Sequence, residues 1–99
     1  VTYRFTAELW EYPAEKASWF FLTLPTEVAD EIEAAATTSR RGFGSVRVSV
    51  TVGSTTWATS IFPSREAGSY LLPVKKAVRV AEGIDAGDPV EVEVDPRLE

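Results

Sequence analysis

The sequence predicts a mainly β fold: a small closed or double-split β-barrel of about six strands, with two short capping helices and a pseudo-two-fold. Three observations predict it. Apolar residues alternate at period two in several runs, clearest at Val46, Val48, Val50 and Val52 and again at Val90, Val92 and Val94. A module of strand, Leu-Pro, short amphipathic stretch, glycine turn and alternating valines occurs twice. Six strands with one apolar face each cannot stay flat in water, and closing the sheet on itself buries those faces and removes exposed edges.

The elements follow in order. Thr2 to Trp10 alternates, with Tyr3, Phe5, Ala7 and Leu9 on one side and Trp10 on the polar side. Glu11 to Ala17 is polar and contains Pro13, so it reads as a hairpin loop into the aromatic strand Ser18 to Leu24. Pro25 stops that strand and suits a first helical turn. Thr26 and Glu27 fit a helix start, and Val28, Ile32 and Ala35 or Ala36 form a stripe two or three turns long. Val46 to Val52 and Thr55 to Phe62 flank Gly53-Ser54 and form a hairpin. Pro63 to Ser69 is a loop, and Tyr70-Leu71-Leu72 is a short strand stopped by Pro73. Val74 to Glu82 is the second helix, with Val74, Ala77, Val78 and Ala81 inward and Gly83 at the left-handed cap. The last strand carries Val90, Val92 and Val94, and Asp95-Pro96 ends it.

The repeat has simple offsets. Leu72, Pro73 and Val80 each lie 48 residues after Leu24, Pro25 and Ile32, whereas Val90 lies 44 after Val46. The connector from helix to valine strand is therefore shorter in the second copy.

Composition bounds the function. Ninety-nine residues make one domain, 1–99. The formal charge is −5, which argues against nonspecific nucleic-acid binding. There is no cysteine and no histidine, so a disulfide framework, a thiolate metal site and the usual neutral-pH general base are all absent. No apolar run reaches membrane-spanning length and no leader pattern opens the chain, so a cytoplasmic location is expected. No cofactor and no metal site are expected.

From Pro73 through Lys75, Lys76 and Arg79 to the Gly83-Ile84-Asp85-Ala86-Gly87-Asp88 turn and the last valine strand, the chain resembles the half-barrel of AbrB/MazE-type swapped-hairpin transcription factors. In that group two chains make one barrel, and two copies in one chain would do so alone. A second resemblance runs end to end. Phe5 to Trp10, Trp19 to Pro25, Arg41 to Val46, Trp57 to Pro63 and Tyr70 to Lys76 resemble the small bacterial and archaeal family called domain of unknown function 1905. That resemblance implies a double-split barrel capped by helices. It implies no activity, since the family has no established one.

Seven of the ten cationic residues lie between positions 40 and 79. Arg41-Gly42-Phe43-Gly44 offers backbone N–H groups beside a guanidinium, Thr59-Ser60 adds hydroxyls, and Lys75, Lys76 and Arg79 share a helical neighbourhood. Arg41, Gly42, Gly44, Ser60, Lys75, Lys76 and Arg79 are therefore the candidate anion site. The competing explanation is a glycine bulge and solvated lysines paired with Glu82 or Asp85. Glu91 and Glu93 read as a solvated strand face rather than an acid–base pair, and Ser60 has no histidine to activate it. The leading reading is a non-enzymatic binding or assembly module. The alternatives are a DNA-binding regulatory domain of swapped-hairpin type and an enzyme acting on a small anionic ligand. The expected partners are a small anion and a second copy of the chain, with neither nucleic acid nor membrane.

Overall fold

Seven antiparallel strands form one curled sheet in the order β1-β7-β4-β5-β6-β3-β2. They are β1 (Tyr3–Glu8), β2 (Trp10–Tyr12), β3 (Trp19–Thr23), β4 (Val46–Val52), β5 (Thr55–Ser64), β6 (Ser69–Pro73) and β7 (Pro89–Pro96). Two helices interrupt them, α1 (Thr26–Ser39) and α2 (Lys76–Glu82). The structure, a computed structural model, describes residues 2–39 and 44–97. No described helix is long and apolar enough to cross a membrane.

The alternating valines face inward as their period requires. Val46, Val48, Val50, Val90, Val92 and Val94 are each 2% exposed or less. Leu9, Leu22, Leu24, Ile32, Ile61 and Leu72 share the buried cluster with Ala29, Val52, Trp57, Tyr70, Val74 and Val78, and Tyr3, Phe5, Ala7 and Phe20 pack against it. Each fully buried side chain of this size stabilises the fold by roughly 1.5–3 kcal/mol.

The sheet is a curled half-barrel, not the closed barrel of about six strands that the periodicity predicts. Its outermost strands are β1 and β2, and Leu9 alone separates them. Two consecutive strands need a turn of at least about two residues to lie side by side. Consequently β1 and β2 run on from one another rather than pairing. Leu9 instead bonds the turn before β7: its N–H donates to the Asp88 carbonyl (2.9 Å), and its carbonyl accepts from Gly87 N–H (2.7 Å). Leu9 is fully buried at this step.

The repeated module shows in the registers. β3 pairs with β6 and β4 with β7, both antiparallel. Thr23 faces Leu71, 48 residues on, and Val50 faces Val94, 44 residues on. Equivalent residues of the two copies thus face one another within each pair, as a two-fold relating the copies would place them.

Four elements differ from expectation. α1 runs 14 residues to Ser39 rather than two or three turns. β5 continues through Pro63 to Ser64, and the turn occupies only 65–68. Trp10 does lie on the outer side, but its ring packs 5.2 Å from Phe21 and its Nε1–H donates to Thr23 Oγ1 at 2.9 Å. In α2, Ala77 and Ala81 are exposed rather than inward. Lys75 is the N-cap, so Val74 precedes the helix, and a seven-residue helix turns only Val78 fully into the core.

Candidate functional site

A backbone bond sets the geometry of the main groove. Val74 N–H donates to the Phe20 carbonyl at 2.9 Å, which fixes the start of α2 beside the aromatic end of β3. Lys75 stays extended (φ −74°, ψ 162°) before the chain enters the helix. Gly83, left-handed at φ 64°, closes the helix onto the Arg79 and Val80 carbonyls. With Val78 turned inward, Arg79 falls over the mouth of the curled sheet.

The groove there encloses about 740 Å³. Phe20, Trp57 and Val74 make its floor, Lys75, Lys76 and Arg79 one wall, and Glu11, Ser18, Trp19 and Thr59 contribute to the rim. Trp57 and Val74 are buried and Phe20 is half-buried. The Arg79 guanidinium carbon sits 3.7 Å from the Phe20 ring centroid. Its Nε–H donates to the Val74 carbonyl at 3.3 Å. These contacts hold the planar group over the ring, and the two terminal nitrogens carry its other four donors.

The carboxylates offered as lysine partners have other contacts. Glu82 Oε2 accepts from Thr55 Oγ1 at 2.5 Å and from Ser54 Oγ at 3.4 Å, so it braces the β4–β5 turn. Asp85 Oδ1 accepts from Ala86 N–H at 2.8 Å, and Asp85 N–H donates to Asp88 Oδ2 at 2.9 Å. The ion pair formed among the described residues joins Arg4 Nε to Glu93 Oε2 at 2.7 Å. It flanks a second depression of about 530 Å³ along β1 and β7, where the opposite charges offset one another.

The candidate residues divide. Lys75, Lys76 and Arg79 converge on the groove. Ser60 does not line it; it faces Arg47 across the β4–β5 pair. Gly44 precedes β4, whose first residue faces Ile61, farther along β5 than Thr59. Arg41 and Gly42 lie outside the described residues. Arg65 lines a small depression with Asp30 and Glu33 at the other end of β5. Among the described residues no three carboxylates gather as a metal site would require.

By sequence alone, Trp57 and Phe20 or Phe21 read as core, and nothing places Trp19 or Glu11 at a site. The signal was present in the repeat. If the two Leu-Pro strands pair about their equivalent residues, position 20 comes opposite position 74, which sets Trp19-Phe20 beside Val74-Lys75.

With this geometry in view, the family comparison is decisive for membership. The profile of the family Domain of unknown function (DUF1905) matches residues 5–94. The chain belongs to this family. No curated protein matches it. The DUF1905 match runs from β1 to β7 and takes in every residue of the groove, without assigning any of them a role. The β6–α2–β7 segment is also consistent with the swapped-hairpin half-barrel.

Proposed function

We propose that this DUF1905 domain is a non-enzymatic binding module whose groove takes a small anion carrying a flat ring, with a nucleoside monophosphate as the best-fitting chemical type. The observation that carries this is the convergence of Lys75, Lys76 and Arg79 over a floor of Phe20 and Trp57. The lysines supply charge, and the arginine fork suits a phosphate with two parallel donors. Aromatic faces at the rim suit a stacked ring. Glu11 on the rim accepts hydrogen bonds and disfavours a second negative charge there.

Binding is favoured over catalysis by what the residues offer. The chain has no histidine and no cysteine, so neither the ordinary general base nor a thiol nucleophile is available. The cations also suit a small ligand better than DNA. Three of them gather in one groove, while Arg47 and Arg65 lie elsewhere on a chain of net charge −5.

Trp19 and Trp57 both line the groove and report on it. Titration with adenosine monophosphate at low ionic strength should give a saturable fluorescence change. Binding should weaken about thirtyfold in Lys75→Ala/Lys76→Ala, since each lost charge contact to a phosphate contributes on the order of 1 kcal/mol. A flat titration with both the nucleotide and inorganic phosphate refutes the reading. Salt-sensitive retention on DNA with no nucleotide response would favour the regulatory alternative.

A further inference from the structure

The outer face of the β2-β3-β6-β5 half carries a second feature, which shares Trp19 and Pro73 with the groove. The registers place paired residues on the same side of the sheet. Trp10 faces Phe21 and Tyr12 faces Trp19 across β2 and β3. Phe21 faces Pro73 across β3 and β6, and Leu71 faces both Thr23 and Phe62. Ser69 and Ser64 complete this side of β6 and β5. None of these ten residues carries a charge, in a chain that is 25% charged. The outer face of the other half is the opposite: Arg4, Thr6, Glu91 and Glu93 lie there in register on β1 and β7.

The rings on this face are open to solvent. Tyr12 and Trp19 are each 57% exposed and Phe62 is 46% exposed. Trp19 and Phe21 lie nearly parallel, 8° apart, with centroids at 6.3 Å. Rings of this size carry roughly 150–250 Å² each, so these three leave about 300 Å² of aromatic surface in water. Trp10, Phe21, Leu71 and Pro73 are half-buried and join them into one patch. The largest apolar patch of a typical monomer is about 300–600 Å² and is often functional. Buried Leu22, Leu72 and Tyr70 point to the opposite side, where the core lies.

We infer that this face is the contact between two copies of the chain, stacked sheet on sheet. Three observations point to a second copy. The ten residues hold no cation for a nucleic acid or acidic peptide and no anion for a basic one; the charge that borders them on this side of the sheet is Arg47, opposite Ser60. Two chains of charge −5 repel, and an uncharged face is where they meet without burying charge. Complete covering of these rings on two such patches removes about 600 Å² of aromatic surface, and the half-buried neighbours with a polar rim bring the contact toward the roughly 1,000–1,200 Å² of a small, reversible interface. Four strands on each side stack at about 10 Å, the spacing of a β-sandwich. Edge-to-edge pairing is less suited, because β2 has only three residues. The contact is isologous, so Trp19 of one copy and Phe62 of the other come to the same seam twice.

Sedimentation velocity from about 1 µM to about 1 mM tests this, because a contact of this size has a dissociation constant on the order of 10 µM or weaker. The expected result is a concentration-dependent monomer–dimer equilibrium that tightens at about 0.5 M salt as repulsion is screened. Trp19→Glu and Phe62→Glu should each weaken the dimer more than tenfold while far-UV circular dichroism stays native. Val80→Glu on α2 is the control; Val80 is 70% exposed and lies off this face, so its dimer should persist. Strictly monomeric behaviour across the range overturns the inference. So does a dimer that survives both aromatic substitutions, or one that Val80→Glu abolishes.

Discussion

Arg79 links stability to the groove, and a double-mutant cycle with Phe20 tests both. Arg79→Ala removes the guanidinium 3.7 Å above the Phe20 ring and the 3.3 Å bond to the Val74 carbonyl. The cation–ring contact at this half-buried site is worth about 0.5–1 kcal/mol. The hydrogen bond is long and adds about 0.5–1 kcal/mol. The loss is thus about 1–2 kcal/mol, which lowers the Tm of a domain this size by about 5–15 °C. Phe20→Leu keeps much of the apolar volume but removes the ring. Thermal and urea unfolding of the wild type, both single variants and the double variant yield the coupling, expected at about 0.5–1 kcal/mol. Arg79→Lys keeps the charge and loses the plane, so it should regain little of the stability. A coupling of zero would mean that the arginine is not held on the ring. The groove would then have no preset fork for an anion, and the proposed ligand chemistry would lose its main support.

Two further outcomes test the frame around the groove. Val48, 1% exposed and facing Thr59, cannot accept a charge: Val48→Asp should cost several kcal/mol of a total of roughly 5–15, and a sharp thermal transition in that variant would contradict the inward valine ladder. Gly83 sits at φ 64° with open space where a Cβ would stand, so Gly83→Ala should cost about 1–2 kcal/mol through backbone conformation alone. Gly83→Asn should cost less, and equal Tm values for glycine and alanine would exclude a left-handed cap.

Local pattern carried well into the fold. The valine strands, the stop at Pro25, the Gly53-Ser54 hairpin and the glycine cap of α2 are where period and turn chemistry put them, whereas Pro63, Pro73 and Pro96 lie within their strands. These features depend on neighbours within a few residues, which is why they are readable in one chain. The errors concern closure and facing. Period two cannot tell a curled sheet from a closed one, because both bury one face. The step at Leu9 depends on the Gly87-Asp88 turn nearly eighty residues away. The stripe of α2 is misread because its length depends on where Val74 anchors to Phe20.

The candidate site was half legible. Lys75, Lys76 and Arg79 are close in sequence and stay close in space. Ser60 and Gly44 looked like companions because they are polar or small near a cation. The strand alternation turns Ser60 toward Arg47, and β4 carries Gly44 past the groove. Trp19 and Phe20 entered the site only through the β3–β6 pairing.

From the order of residues alone came the repeat, the mainly β class, the absence of cysteine and histidine chemistry, and a cationic stretch between positions 40 and 79. Folding in three dimensions decided which cations share a groove, which aromatics form its floor and which half of the sheet faces water without charge. The reason is range. Periodicity and turns act along the chain, whereas register between strands about fifty residues apart is settled only when their apolar faces meet across a common interior.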